Sequence, residues 1–308
     1  MPADEIIYRS VVNGQRAEVS VVDEPTRTYR LTVDGVPQSQ ICLADPTLVD
    51  FDYARHIARA IDTRAAAGIP LVFAHLGAGA LTLPRYVQAT RPGSVQYAVE
   101  SEAERTIDVL GILPLDKGSD VRLLFGDARA IVDGRAGSDS SEPRAPWRNA
   151  DVTVVDLWAG STIGSQVASI EFYTQLESLC APGGMLAVNL LDGPGCVYIR
   201  RQAAALGLLF DHVVVAMDSR MFDDTGPDKA PRTIPDPVRS GNIVLLASNR
   251  PLDLLTAPGW PVGDHNPPRV FAGDELRNWI SGATPLTDSD ATDSPSPSAG
   301  DHVGDGCD

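Results

Sequence analysis

The chain has 308 residues, of which 43% are hydrophobic and 21% charged, so it can bury a large core in one domain or in one domain with a small appendage. Its net charge of −16 argues against a nucleic-acid-binding surface, which would need clustered Lys and Arg. It contains no apolar run of the roughly 18 residues that a membrane-spanning helix needs and no signal-peptide pattern, and its four widely spaced cysteines are typical of reduced thiols. We therefore expect a cytoplasmic protein that binds neither nucleic acid nor membranes.

Residues 1–48 predict a small antiparallel β-domain. Short segments of alternating apolar and polar residues follow one another here, separated by Asn-Gly and Asp-Gly sequences that are typical of tight turns. From Asp50 the apolar spacing becomes helical and continues as far as Gly68.

Residues 49–283 predict an α/β domain. Seven segments have the apolar character of buried strands, and they lie at 70–75, 95–100, 120–125, 152–156, 184–190, 210–217 and 242–247. Helical spacing is found between them, near 82–90, 101–110, 127–133, 165–180 and 197–206. This alternation indicates a mostly parallel sheet with helices on both faces. Because only a loop separates the last two strands, we expect a hairpin at one edge.

Three polar stretches fall outside this pattern. Residues 134–149 are rich in Gly, Ser and Pro and predict a surface insertion, and residues 284–308 predict a disordered acidic tail. The loop 218–241 is long enough to suggest a lid over a substrate site, to which Asp223 or Asp224 would contribute an anion.

A glycine turn follows the first strand of the α/β domain. The strand ends at His75, and Gly77 and Gly79 separate it from the helix that begins near Pro84. This layout directs backbone N–H groups and a helix N-terminus towards a ligand, which a side chain at either glycine would keep away. Two glycines are also common in turns that bind no ligand. The residues that follow the neighbouring strands are therefore needed to distinguish a binding turn from an ordinary one.

Acidic residues stand at the ends of the next three strands. In an open α/β sheet the ligand lies beyond the carboxyl ends of the strands. There Glu100 can accept hydrogen bonds from the hydroxyl groups of a ribose, and Asp127 can accept one from an adenine amino group. Asp156 can face a reacting centre. Singly these residues could be a solvated helix start, a helix N-cap and a turn residue. Together they favour a nucleoside site.

Residues 5–250 resemble the spermidine synthase family, the polyamine aminopropyltransferases, a branch of the class I S-adenosylmethionine-dependent methyltransferase fold. Val33-Asp-Gly-Val-Pro-Gln38 is similar to a hairpin whose glutamine lies near the nucleoside, and Phe51-Asp-Tyr53 is similar to the segment that bears the active-site tyrosine. The resemblance implies a seven-stranded, mostly parallel Rossmann-like sheet preceded by the β-domain. A homodimer is compatible with it but is not established by the sequence.

The resemblance extends to the acidic residues. Glu100 matches the ribose-binding acid of the family, and Gly126-Asp127-Ala matches its adenine-side motif. Asp156 matches the first acid of an Asp-x-x-Asp-Pro loop, which implies a general base towards the attacking amine. The resemblance therefore implies that Gln38, Glu100 and Asp127 bind the nucleoside, with His75 and the glycine turn beside them.

Three departures from the family weaken the case for a polyamine substrate. Ala78 replaces the aspartate that holds the cationic aminopropyl end of the donor, and the segment after Asp156, Leu-Trp-Ala-Gly160, lacks the second acid of the loop. Tyr53-Ala-Arg55 replaces a Tyr-His-Glu sequence and adds a positive charge. A diamine would need an oxygen partner for each desolvated ammonium group.

We therefore expect a spermidine synthase-like transferase that moves an aminopropyl or related alkyl group from decarboxylated S-adenosylmethionine, or from S-adenosylmethionine, to a small-molecule amine, without a metal. The alternatives are a methyltransferase and a catalytically inactive nucleoside-binding homologue. Asp156 would act as the base, with its pKa raised beside Trp158. Tyr53 would orient the amine or pack against the sheet. His75 would either contact the amino-acid part of the donor or form a hydrogen bond within the core.

Overall fold

The computed structural model describes residues 5–134, 144–158, 162–222, 234–252 and 268–296. Asp223 and Asp224, which were predicted to contribute an anion from a lid at 218–241, lie outside the described residues. Within the described ranges, none of the helices has the length and apolar character needed to cross a bilayer.

Four antiparallel strands form the N-terminal sheet. They are β1 (Glu5–Val12), β2 (Gln15–Asp23), β3 (Thr28–Val33) and β4 (Val36–Cys42), in the spatial order β1-β2-β3-β4. Asn13 and Asp34 each have a positive φ and each precede a glycine that also has one, as two-residue hairpins require. The predicted β-domain is confirmed, although its boundary at residue 48 remains a prediction.

The rest of the described chain alternates between helices and strands. After α1 (Asp52–Asp62) come β5 (Val72–Leu76), α2 (Thr82–Thr90), β6 (Val95–Glu100), α3 (Ala103–Ile112), β7 (Asp120–Phe125), α4 (Ala128–Asp133), β8 (Ala150–Val155), α5 (Ile170–Leu179), β9 (Cys180–Asp192), α6 (Val197–Leu209), β10 (His212–Met217), β11 (Gly241–Ser248), β12 (Arg269–Ala272) and α7 (Gly273–Ile280). Short 3₁₀ helices cover Ser165–Val167 and Ser219–Met221.

The second sheet has eight strands in the order β12-β10-β11-β9-β8-β5-β6-β7. Strands β5 to β9 are parallel, whereas β11 is antiparallel to both β9 and β10, which confirms the predicted hairpin. The chain order reverses between β5 and β8, and the crevice at such a switch point is where α/β sheets bind ligands. The predicted fold class is confirmed, with β12 and α7 as additional elements.

Apolar clusters cover both faces of this sheet. On β5 and β8, neighbouring side chains alternate between them: Ala74 and Val155 belong to the cluster under α4, α5 and α6, and Phe73 and Val154 to the cluster under α1 and α2. This two-sided burial is the reason that the strands are almost continuously apolar in sequence. A third, smaller cluster joins the inner face of the N-terminal sheet to α3.

The described parts of two predicted surface segments each place a large side chain in the core. Trp147, within the predicted insertion at 134–149, is only 1% exposed. Leu286, within the predicted disordered tail at 284–308, is also 1% exposed, and residues 284–296 are ordered against the domain. The tail prediction was wrong for these residues because their acidic side chains pair with Arg129 and Arg201. Residues 297–308 lie outside the described residues.

Candidate active site

One cavity of about 840 Å³ opens at the carboxyl ends of the central strands, between them and β4 of the N-terminal sheet. The structure brings all eight of the predicted site residues to its lining, namely Gln38, Tyr53, His75, Gly77, Gly79, Glu100, Asp127 and Asp156. They come from both sheets and from α1, so the cavity is assembled only when the two domains are together.

The glycine turn packs closely against the backbone of Asp156 on one side and against Ser39 of β4 on the other. Gly77 and Gly79 have φ values of +76° and +51°, which L-amino acids with side chains rarely adopt. A Cβ atom at Gly77 would lie 2.1 Å from the backbone oxygen of Asp156, and one at Gly79 would lie 2.4 Å from Ser39 Oγ. A side chain is therefore excluded by the protein itself, and not only by an approaching ligand as the sequence suggested.

The Glu100 carboxylate accepts hydrogen bonds from the backbone N–H groups of this turn. Its Oε2 accepts hydrogen bonds from the backbone N–H groups of Ala78, at 3.0 Å, and Gly79, at 3.1 Å. Its Oε1 accepts a further bond of 3.1 Å from the N–H of Ser101. The turn thus presents the negative charge of a carboxylate to the cavity where a phosphate-binding turn would present bare N–H groups.

His75 is a neutral hydrogen-bonded side chain in the cavity wall. Its Nε2 lies 3.0 Å from Gln96 Oε1, and Gln96 Nε2 donates to the carbonyl of Pro84 at 3.0 Å. Because the amide nitrogen of Gln96 faces that carbonyl, we assign the His75 proton to Nε2, which leaves Nδ1 as an acceptor. Burial lowers the pKa of His75 to about 4, so the ring is uncharged at neutral pH.

Asp127 is the N-cap of α4, which was the alternative to a role in ligand binding, and it also lines the cavity. Its Oδ1 accepts a hydrogen bond of 2.8 Å from the N–H of Ala130, which caps α4. On the neighbouring wall lie Gln166 and Val167, which belong to a 3₁₀ helix that sequence analysis assigned to a longer helix. Gln38 lines the cavity from β4.

Asp156 is the most heavily hydrogen-bonded group of the site. Its Oδ1 accepts from Trp158 Nε1 at 2.9 Å and from Asn189 Nδ2 at 2.8 Å. Its Oδ2 accepts from the Tyr53 hydroxyl at 3.1 Å. A carboxylate has about four acceptor positions, so these bonds leave one of them, on Oδ2, for a ligand.

The protonation of this group follows from its burial. Desolvation raises the pKa of Asp156 above its ordinary value, against the lowering effect of the bonds from Asn189, Tyr53 and Trp158. Desolvation and the Asp156 charge raise the pKa of Tyr53 well above 10, so that Tyr53 keeps its proton at neutral pH. The result is an anchored carboxylate with increased proton affinity, which can receive a proton from a bound amine.

Sequence reasoning missed the two asparagines behind Asp156. Asn189 is 1% exposed in the middle of β9, and its Oδ1 accepts a hydrogen bond of 3.1 Å from Asn242 Nδ2 on β11. An isolated asparagine in an otherwise apolar strand is an available signal, since a buried polar side chain needs a partner. Trp158, which the sequence places beside Asp156, donates a hydrogen bond directly to it.

The positive charge predicted at Arg55 is compensated locally. Arg55 forms an ion pair with Asp52, which also lies 2.6 Å from Arg220. Arg220 in turn pairs with Asp218 at 2.7 Å. Two arginines and two aspartates therefore balance one another beside Tyr53. Across the described ranges, His, Cys, Asp and Glu side chains form no group of three that could hold a metal ion.

No protein-family model matches the chain. No curated protein matches it in sequence either. Among solved structures, a probable spermidine synthase from Corynebacterium glutamicum ATCC 13032 superposes with a TM-score of 0.75 at 23% identity, covering 94% of this chain and 97% of its own. Spermidine synthase from Thermotoga maritima gives a TM-score of 0.50 at 12% identity, covering 82% of this chain and 79% of its own. The chain thus has the fold of these spermidine synthases, as its sequence motifs predict.

Proposed function

We propose that the protein is a transferase that moves an aminopropyl or related alkyl group from an S-adenosyl nucleoside to a small-molecule amine. The observation that carries this proposal is the convergence of the glycine turn, Glu100 and the buried Asp156 in one cavity. The likeness in fold to spermidine synthases supports the same class of donor.

The electrostatics of the turn favour a sulfonium nucleoside over a nucleotide. A phosphate would meet the Glu100 carboxylate, which already holds the N–H groups of Ala78 and Gly79. A cationic sulfonium centre is attracted by that carboxylate and by Asp156. A ribose hydroxyl group can donate to the one remaining acceptor position of Glu100, on Oε1, and the adenine would lie towards Asp127 and Val167.

The proposed reaction needs alignment and one proton acceptor. The lone pair of the acceptor nitrogen attacks the carbon bound to the sulfonium, a C–N bond forms, and the C–S bond breaks with its electrons passing to sulfur, which becomes a neutral thioether. The proton displaced from nitrogen passes to Asp156 Oδ2, the carboxylate oxygen with an open acceptor position. Tyr53, Trp158 and Asn189 hold that carboxylate in place.

A methyltransferase that uses intact S-adenosylmethionine is the second candidate. The observation that favours it is Ala78, which lines the cavity where the resembling family has an aspartate for the cationic end of the decarboxylated donor. An aspartate there would repel the carboxylate of the intact donor, and an alanine does not. The third candidate is an inactive nucleoside-binding homologue. The hydrogen bonds that hold Asp156 in place argue against it, because an inactive protein does not need a positioned base.

Calorimetric titration with S-adenosylmethionine, its decarboxylated form and methylthioadenosine separates these functions. Tighter binding of the decarboxylated donor supports aminopropyl transfer, and tighter binding of the intact donor supports methyl transfer. Absence of binding by all three contradicts both. Incubation of the better donor with a panel of amines, analysed by mass spectrometry for alkylated products, then distinguishes an enzyme from a ligand-binding homologue.

A further inference from the structure

Residues 284–296, which we call the C-terminal strap, lie behind one wall of the cavity. That wall is formed by residues 162–167, of which Gly164, Gln166 and Val167 line the cavity. On its other side, the backbone N–H and carbonyl of Ile163 bond to Ser294 Oγ and to the N–H of Ser294, both at 2.9 Å. The strap therefore pairs with the wall through the main chain.

A second connection runs through a buried arginine. Arg129 on α4 binds Asp288 of the strap with both of its terminal nitrogens, at 2.9 and 2.7 Å. One of these nitrogens also donates to the backbone oxygen of Gln166 at 2.8 Å. Asp133 accepts from Arg129 Nε at 2.7 Å, and Asp288 holds the two terminal nitrogens, so that together they orient Arg129 towards Gln166. Arg129 lies two residues after Asp127 in the sequence.

The geometry makes this contact stronger than an ordinary surface ion pair. The Arg129 side chain is 11% exposed and the contact is bidentate, which adds both energy and directionality. Leu286 anchors the strap in the core with 1% exposure. The carbonyl of Leu286 accepts a hydrogen bond of 2.8 Å from the N–H of Ile170 at the start of α5. The strap is thereby tied to the sheet-covering helices and to the cavity wall at once.

We propose that the C-terminal strap is a positioning element for the nucleoside cavity, with Asp288 as the positioning residue that acts on Gln166 through Arg129. This proposal rests on the proposed function, because the ligand whose binding the strap would affect is the adenosyl nucleoside. Because coupling between two sites is reciprocal, nucleoside binding also stabilises the docked strap.

Asp290 provides a matched control within the strap. It pairs with Arg201 on α6 at 2.7 Å, and its side chain is 50% exposed, close to the 42% of Asp288. Among the described residues, the other hydrogen bonds of the Arg201 side chain go to the backbone oxygens of Thr284 and Pro285, within the strap and not to the wall. Asp288→Asn and Asp290→Asn therefore remove equal charge from the same segment, but only the first disturbs the link to Gln166.

The test combines hydrogen–deuterium exchange of residues 162–167 in the ligand-free protein with calorimetric binding of methylthioadenosine. Asp288→Asn should accelerate exchange in the wall and weaken methylthioadenosine binding roughly tenfold, whereas Asp290→Asn should change neither by more than about twofold. Asp288→Glu, which keeps the charge, should restore part of the affinity.

Equal effects of the two asparagine variants, or faster exchange without a loss of affinity in Asp288→Asn, would overturn the positioning role. A wild-type chain that binds neither methylthioadenosine nor either S-adenosyl donor contradicts the proposed function, while exchange in the ligand-free variants still decides whether the strap holds the wall. If Asp288→Asn does not fold, the wild-type protein decides: methylthioadenosine must slow exchange within residues 284–296, and unchanged exchange there contradicts the coupling.

Discussion

The Tyr53 hydroxyl donates a hydrogen bond of 3.1 Å to Asp156 Oδ2, joining the first helix to the end of a strand 103 residues later in the chain. The bond connects the face of α1 to the switch point of the sheet. It also ties the protonation of the two groups together, since the Asp156 charge raises the pKa of Tyr53 and the Tyr53 bond lowers the pKa of Asp156.

Tyr53→Phe should therefore move the acidic limb of the pH–rate profile upwards. Removing the bond takes away an effect that lowers the pKa of Asp156, so the base titrates at a higher pH than in the wild type. Since only the deprotonated carboxylate accepts a proton, kcat/KM falls at a higher pH than in the wild type. Tyr86→Phe removes a similar bond to Asp62, outside the cavity, and should leave the limb unchanged.

Asp156→Asn should abolish most of the transfer without loss of the nucleoside site. The asparagine oxygen can keep the bonds from Trp158 and Asn189, and its amide can donate to the Tyr53 hydroxyl, so the geometry survives. Loss of the base should reduce kcat by roughly 10²- to 10⁴-fold, with methylthioadenosine affinity nearly unchanged. Asp151→Asn, at the opposite end of the same strand, is the control, and an equal loss of kcat there would contradict the assignment.

Gly77→Ala should destabilise the protein more than Gly118→Ala does. Both glycines have a strongly positive φ, but a Cβ at Gly77 would lie 2.1 Å from the Asp156 backbone oxygen, whereas Gly118 has nothing within 4 Å. Backbone strain alone costs about 1–2 kcal/mol, which is the expected effect at Gly118. Urea unfolding should show a larger loss for Gly77→Ala, of about 3 kcal/mol or more. Equal losses would mean that the turn is not wedged against Asp156.

His75→Gln should protect the protein against moderate acid. The pKa of His75 is lowered from 6.5 to about 4, so the folded state resists the proton that the unfolded state binds. The stability that comes from the neutral ring is present above pH 6.5 and is lost as the pH falls towards 4. Over that interval the wild type should lose up to roughly 3 kcal/mol relative to His75→Gln in urea unfolding. His212→Gln is the histidine control, and parallel pH curves for wild type and His75→Gln would contradict the buried neutral ring.

The sequence predicted those elements in which local pattern and tertiary environment agree. The helix predicted at 82–90 coincides with α2, and the strand predicted at 95–100 with β6, because their apolar spacing matches the faces that they bury. The acids at three strand ends were predictable for a similar reason, since parallel strands bring their carboxyl ends to one edge.

The errors fall where a few tertiary contacts outweigh composition. One tryptophan, Trp147, buries the end of a polar insertion, and one leucine, Leu286, docks an acidic segment whose charges find arginine partners elsewhere in the chain. The hydrogen bond from Asn189 to Asp156 was likewise invisible, because the two residues meet only across β8 and β9. Composition averages over such contacts, and pairing between residues 33 to 159 positions apart leaves no local pattern.

Ala78→Asp tests which donor the cavity is built for. Ala78 lies in the glycine turn with its N–H on Glu100, so a carboxylate at this position would add negative charge beside the sulfonium end of a bound donor. It should attract the ammonium of decarboxylated S-adenosylmethionine and repel the carboxylate of the intact compound. The ratio of the two dissociation constants, measured by calorimetry at pH 8, should therefore shift roughly tenfold towards the decarboxylated donor. Ala78→Asn, which matches aspartate in size but has no charge, should leave the ratio within about twofold of the wild type. An equal shift in both variants would attribute the effect to bulk in the turn, and no shift in either would place the donor's variable end away from residue 78.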